Sequence, residues 1–134
     1  MMKNLFQILC GLFLVVSYSS CMHSEEDKVD VLIIGGGASG VTSGIQSARM
    51  GANTLILEES TWLGGMLTSA GVSAVDGNYR LPAGLWGEFK NRLSDYYGGL
   101  DSLKTGWVSN VLFEPSVGNK ILHEMVAAEN NLKV

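Results

Sequence analysis

Hydrophobic and polar positions divide the chain into a few clear segments. Val29 and Val31–Ile34 form a short apolar run rich in β-branched residues. That pattern predicts a strand buried on both faces of a parallel sheet. A glycine turn follows. Val41, Ile45, Ala48 and Arg49 then recur at helical spacing up to Gly51, a C′ glycine. Thr54–Leu57 is a second apolar strand, with Glu58 at its carboxyl end. Residues 68–78 are small, polar and aperiodic, which predicts a loop with one short strand around Val72–Val75 and a turn at Asp76-Gly77-Asn78. A helix is expected at about 84–97, with Leu85, Trp86, Phe89, Leu93 and Tyr96 as its apolar stripe. Lys90, Asn91 and Asp95 are expected to face away, and Gly98-Gly99 to end it. The next loop is expected to be anchored by Trp107 and Val108, before the apolar run Val111–Phe113. Glu114-Pro115-Ser116 signals a helix start. The helix over 116–129 carries Val117, Ile121, Leu122, Met125 and Val126 on one face, with His123 off it as a solvated side chain. Leu132-Lys133-Val134 begins a further strand.

The chemistry lies in the first of these units. Gly35, Gly37 and Gly40 form G-x-G-x-x-G between a strand and a helix. A dinucleotide's pyrophosphate requires backbone N–H donors and the positive end of a helix dipole. In this motif the first glycine makes the tight turn, the second lets the backbone approach the phosphates and the third lets the helix pack on the strand. Gly44, one turn on, extends that close approach. Glu58 stands near the spacing expected of an acid that binds a ribose hydroxyl. The bland alternative is a glycine-rich turn in an unrelated α/β protein; strand, helix, second strand and terminal acid together weigh against it.

The N-terminal residues read differently. Lys3 followed by the apolar Leu5–Val16 is a signal pattern, too short to span a bilayer. Tyr18-Ser19-Ser20-Cys21 resembles the lipobox of bacterial lipoproteins, although Tyr18 stands where Leu is usual. The resemblance implies a signal over residues 1–20 and a lipid on Cys21; an ordinary secretory signal is the alternative. Residues 21–28 make an acidic tether, similar to surface-export signals of Bacteroidetes lipoproteins, with His23 as a bystander. With Cys10 removed and Cys21 lipidated, no thiol pair is left for a disulfide or a cysteine metal site. The expected location is therefore a bacterial cell membrane, the protein being exported and lipid-anchored. No Arg-Arg lies in residues 1–20, so Sec-type export and external loading of cofactor are implied.

The charge of the chain is −4, and removing the signal makes it one unit more negative. No basic stripe points to nucleic acid.

After Glu58 and Glu59 comes Gly64-Gly65-Met66. With it the chain resembles FAD-dependent oxidoreductases of the glutathione-reductase-like superfamily, in which a Gly-Gly loop after the acid runs along the flavin nucleotide. The segment from LFEP to the last strand is also similar to exported Bacteroidetes members of that group. The resemblance implies a Rossmann-like α/β fold over residues 29–134, incomplete, with FAD contacted by Gly35, Gly37, Ala38, Ser39, Gly40, Glu58, Glu59, Gly64, Gly65 and Met66. Trp62 either shelters the adenine or packs. No catalytic group is assigned; Thr68 and Asp76 are the polar candidates, and Asp76 suits a turn. The chain is expected to be the N-terminal part of such an enzyme, binding FAD weakly or not at all alone, because two strands and a stub cannot cover both faces of a parallel sheet. An NAD-dependent enzyme and a non-catalytic lipid-anchored remnant are the alternatives. Glu58 would repel the 2′-phosphate of NADP.

Overall fold

The computed structural model describes residues 28–134. The expected signal over residues 1–20, Cys21 and nearly all of the expected acidic tether over 21–28 lie outside the described residues. Three strands, β1 (Val31–Ile34), β2 (Thr54–Leu57) and β3 (Leu132–Lys133), form a parallel sheet in that order. Val31 pairs with Thr54 and Ile34 with Leu57; Thr54 pairs in turn with Leu132. Parallel neighbours require crossovers. The first crossover is helix α1 (Ala38–Arg49). The second carries α2 (Gly84–Tyr97) and α3 (Pro115–Ala127, with Pro115 in the first turn). The fold is thus α/β and Rossmann-like, with the sheet only partly built by these residues.

Helix α1 lies on the sheet and places Val41, Ile45 and Ala48 against Ile56, all buried. Helix α3 packs on α1 and α2 through Val117, Ile121, Leu122, Met125 and Val126, the stripe expected from its spacing. Phe89 meets Phe113 edge to face, with ring centroids 5.4 Å apart. Each such aliphatic or aromatic side chain contributes about 1.5–3 kcal/mol by leaving water. Arg49 ties the layers at their rim, pairing with Glu88 of α2 at 2.9 Å and with Glu129 at 2.7 Å.

Several expectations are corrected. β1 is not buried on both faces: Ile33 packs inward, while Leu32 and Ile34 are 53% and 75% exposed, because the described helices cover only one side of the sheet. No strand forms at 72–75; a single antiparallel bridge joins Ala74 to Leu112. Lys90 does not face away but is buried, its Nζ donating to the carbonyls of Tyr79 at 2.7 Å and Leu81 at 2.9 Å. Tyr96 leaves the stripe and is half exposed. Trp107 and Val108 anchor nothing: Trp107 is 96% exposed, and Leu103 and Val111 fill the core in their place.

Candidate functional site

β1 and β2 end side by side, and their carboxyl ends open onto the glycine turn. Gly35 leaves β1 at φ +96°, a conformation open to glycine, and its N–H donates to the Leu57 carbonyl at 2.8 Å. Gly37 is the N-cap of α1. A Cβ at Gly37 would meet nothing within 4 Å, so the space in front of the helix is open there. Gly40 serves the fold instead: its Cβ would lie 2.0 Å from the Gly35 carbonyl oxygen. Among the described residues no side chain caps the first turn of α1, and that turn, with Ala38 and Ser39, holds no acid. Its N–H groups are therefore left without a side-chain cap, at the positive end of the helix dipole.

Glu58 is bound to the turn. Its Oε2 accepts from the Gly36 N–H at 2.6 Å, and its Oε1 accepts from the Ser60 hydroxyl at 2.9 Å and the Ser60 N–H at 3.1 Å. The Gly36 amide first, then Ser60, holds its carboxyl below the usual glutamate range. A carboxylate has about four acceptor positions, so these bonds leave capacity for a ligand hydroxyl.

The Gly64-Gly65 loop docks on the same turn. The Gly64 N–H donates to the Gly36 carbonyl at 2.8 Å, and Gly64 bridges Gly37. Gly64 has φ +106°, and a Cβ on it would strike Leu122 at 2.6 Å, so this glycine is required by packing whatever the ligand. A Cβ at Gly65 would stand 3.2 Å from the Gly37 Cα. Sequence reasoning thus brought together Gly35, Gly37, Gly40, Glu58, Gly64 and Gly65. Glu59 is exposed, with no side-chain hydrogen bond or ion pair among the described residues. Met66 is 68% exposed on a short 3-10 turn, Gly65–Leu67.

Two contributors were missed. Gly36 holds the acid by its main chain, and a Cβ there would meet Leu63 at 2.8 Å and Glu58 at 3.1 Å. Its place as the middle of three consecutive glycines was its only signal. Ser60 carries no motif at all. Of the polar candidates, Thr68 is buried and donates to the Leu63 carbonyl at 2.5 Å, a structural bond. Asp76 is exposed in its turn. Trp62 is half-buried, its N–H bonded to the Ser60 hydroxyl. His123 is exposed on α3, its Nε2 3.2 Å from the Thr61 carbonyl. Among the described residues no group of His, Cys, Asp and Glu suits a metal ion. A cavity of about 300 Å³ opens beside the first turn of α1, lined by Ala38, Ser39, Thr42, Leu67, Trp86 and Phe89 among others.

The arrangement fits an anionic diphosphate with a ribose attached: an open space at Gly37, uncapped amides and one fixed carboxylate. Residues 30–134 match the family described as FAD dependent oxidoreductase. No curated protein sequence matches. Among solved structures, the chain is similar to the crystal structure of Thermovibrio ammonificans THI4, at 18% identity and a TM-score of 0.42. That alignment covers 98% of this chain and 45% of THI4, so the chain spans less than half the length of that neighbour.

Proposed function

The chain belongs to the FAD dependent oxidoreductase family, with FAD as its cofactor, and from that premise we propose that the crevice at the ends of β1 and β2 holds the ADP half of FAD. The amides of Gly37, Ala38, Ser39 and Gly40 take the pyrophosphate on the helix dipole. Glu58 accepts from the adenosine ribose. Gly64-Gly65 runs beside the nucleotide, with Glu59 and Met66 at its margin. FAD, when bound, accepts a hydride or electron pair, here from a small organic substrate. This chain's own residues bind and orient it; they supply no assigned acid or base.

One observation carries the reading: the Glu58–Gly36 bond of 2.6 Å fixes a carboxylate beside an uncapped helix start. A hydrogen bond to a charged group contributes about 1.5–3 kcal/mol. Replacing Glu58 by Ala in the full chain should therefore weaken FAD binding about 10- to 100-fold, read by titration calorimetry or by NMR shifts of the glycine amides. Unchanged affinity in a folded Glu58→Ala chain would remove the assignment. NAD binding equal to FAD at the same amides would replace it by the nicotinamide alternative.

We also propose that the protein is exported and lipid-anchored at Cys21, on the signal and lipobox-like residues alone. Labelled fatty acid should be incorporated by the native chain and not by Cys21→Ala; equal labelling of both would end the proposal.

A further inference from the structure

Away from the glycine crevice, a cavity of about 390 Å³ lies between α2 and the 79–82 and 100–111 segments. Lys90 lines it and is only 6% exposed. A lysine ammonium has three hydrogens. Two go to the carbonyls of Tyr79 and Leu81, and the Trp86 ring centroid lies 5.9 Å from Nζ. Among the described residues no carboxylate pairs with Lys90. Buried charges are ordinarily paired, because carbonyl dipoles and an aromatic face offset only part of the lost hydration. The same cavity is lined by two further cations, Arg80 and Lys104, and by the amides Asn91 and Asn110. Among the described residues Arg80 has no acid partner either; it lies over the Tyr79 ring. Lys104 pairs with the exposed Asp101 at 2.9 Å. Leu103 and Val111, both buried, supply an apolar wall.

We propose that this cavity binds a small organic anion, a carboxylate on an apolar body, with Lys90 as its principal counter-charge. Three cations and two amides suit the head group. The apolar wall suits the body and disfavours a bare inorganic ion. The bonds from Lys90 to the 79–82 segment also hold one side of the cavity in place, so the charge is fixed before the ligand arrives and needs no ordering on binding. The proposal does not rest on the FAD reading, since none of the glycine-crevice residues lines this cavity.

The test is NMR titration of the full chain with benzoate, and with benzyl alcohol as its neutral counterpart. Benzoate should produce saturable shifts at the amides of Asn91 and Asn110, with affinity at least about tenfold above benzyl alcohol, the ratio that one charge-assisted hydrogen bond supplies. The double variant Arg80→Ala, Lys104→Ala changes exposed side chains only, and should weaken benzoate severalfold while leaving benzyl alcohol unchanged. Lys90→Met, where circular dichroism shows it folded, should lose the preference for benzoate. No saturable shift up to about 20 mM benzoate, a concentration that would reveal even a millimolar site, would overturn the proposal. Equal binding of the neutral compound would do the same, as would full benzoate affinity in the double variant.

Discussion

Two alanine substitutions three residues apart should separate the glycine that builds the fold from the glycine that admits the ligand. At Gly40 a Cβ would sit 2.0 Å from the Gly35 carbonyl oxygen, 3.1 Å from its carbon and 3.4 Å from Ile33 Cγ2. Backbone lies on one side and a buried helix on the other, so α1 and β1 must separate by roughly 1 Å to restore ordinary contact. Overpacking of this kind costs typically 1–3 kcal/mol and occasionally more, and with rigid neighbours the upper end applies. Alanine returns about 1 kcal/mol in helix propensity. Gly40→Ala should thus lose about 2 kcal/mol. In a domain of this size that lowers Tm by roughly 10 °C, measured by circular dichroism and confirmed by urea titration. At Gly37 the backbone (φ −63°, ψ 177°) accepts any L-residue, and the Cβ meets open space. Gly37→Ala should cost under about 1 kcal/mol, from the poorer N-cap alone. Its methyl group occupies the approach to the first-turn amides, so FAD or ADP binding should fall at least about tenfold, equivalent to 1.4 kcal/mol. Equal destabilisation by the two substitutions would refute this reasoning. So would a folded Gly37→Ala chain that binds the nucleotide unchanged.

Three further outcomes follow from the geometry. Glu58 is held below the ordinary glutamate value, so its stabilising contribution is complete above about pH 4.3 and lost as pH falls through the lower folded value; urea midpoints followed into acid should show a drop that Glu58→Gln removes. Thr68→Val leaves the Leu63 carbonyl without its hydroxyl donor in a buried place, and should cost about 1–3 kcal/mol in a denaturant titration. Trp107→Ser, at a side chain 96% exposed, should leave stability within about 0.5 kcal/mol, against the expectation from its size.

The sequence was most legible where the relevant property is the absence of a side chain. Glycine spacing announced the turn at Gly35–Gly40 and a close backbone approach at Gly64-Gly65, because positive φ and close approach leave few alternatives, though not that the pair docks on that turn. The stripe of α3 was equally readable, since that helix buries the five residues that its period selected. Periodicity says only which face a residue occupies, however, and not what lies opposite. Lys90 stands on a face that reads as solvated, yet the 79–82 segment folds back over it and supplies two carbonyls. Trp107 reads as an anchor by size, yet the smaller Leu103 reaches the core first.

The same distinction explains why the candidate site could be located without being fully described. The acid at its centre is held by one main-chain N–H and by a serine outside any motif. Neither leaves a side-chain pattern that spacing can expose. A carboxylate placed by side chains would have to be rebuilt whenever those side chains changed. Here its main support is an amide that every substitution at Gly36 except proline retains, while a Cβ there would press on Leu63 Cδ2 at 2.8 Å and on the Glu58 side chain at 3.1 Å. The position of Glu58 is therefore set by how closely the Gly36 and Gly64 backbones approach, with the Leu63 side chain packed against Gly36, and any change that separates them should move the acid and the open helix start apart together.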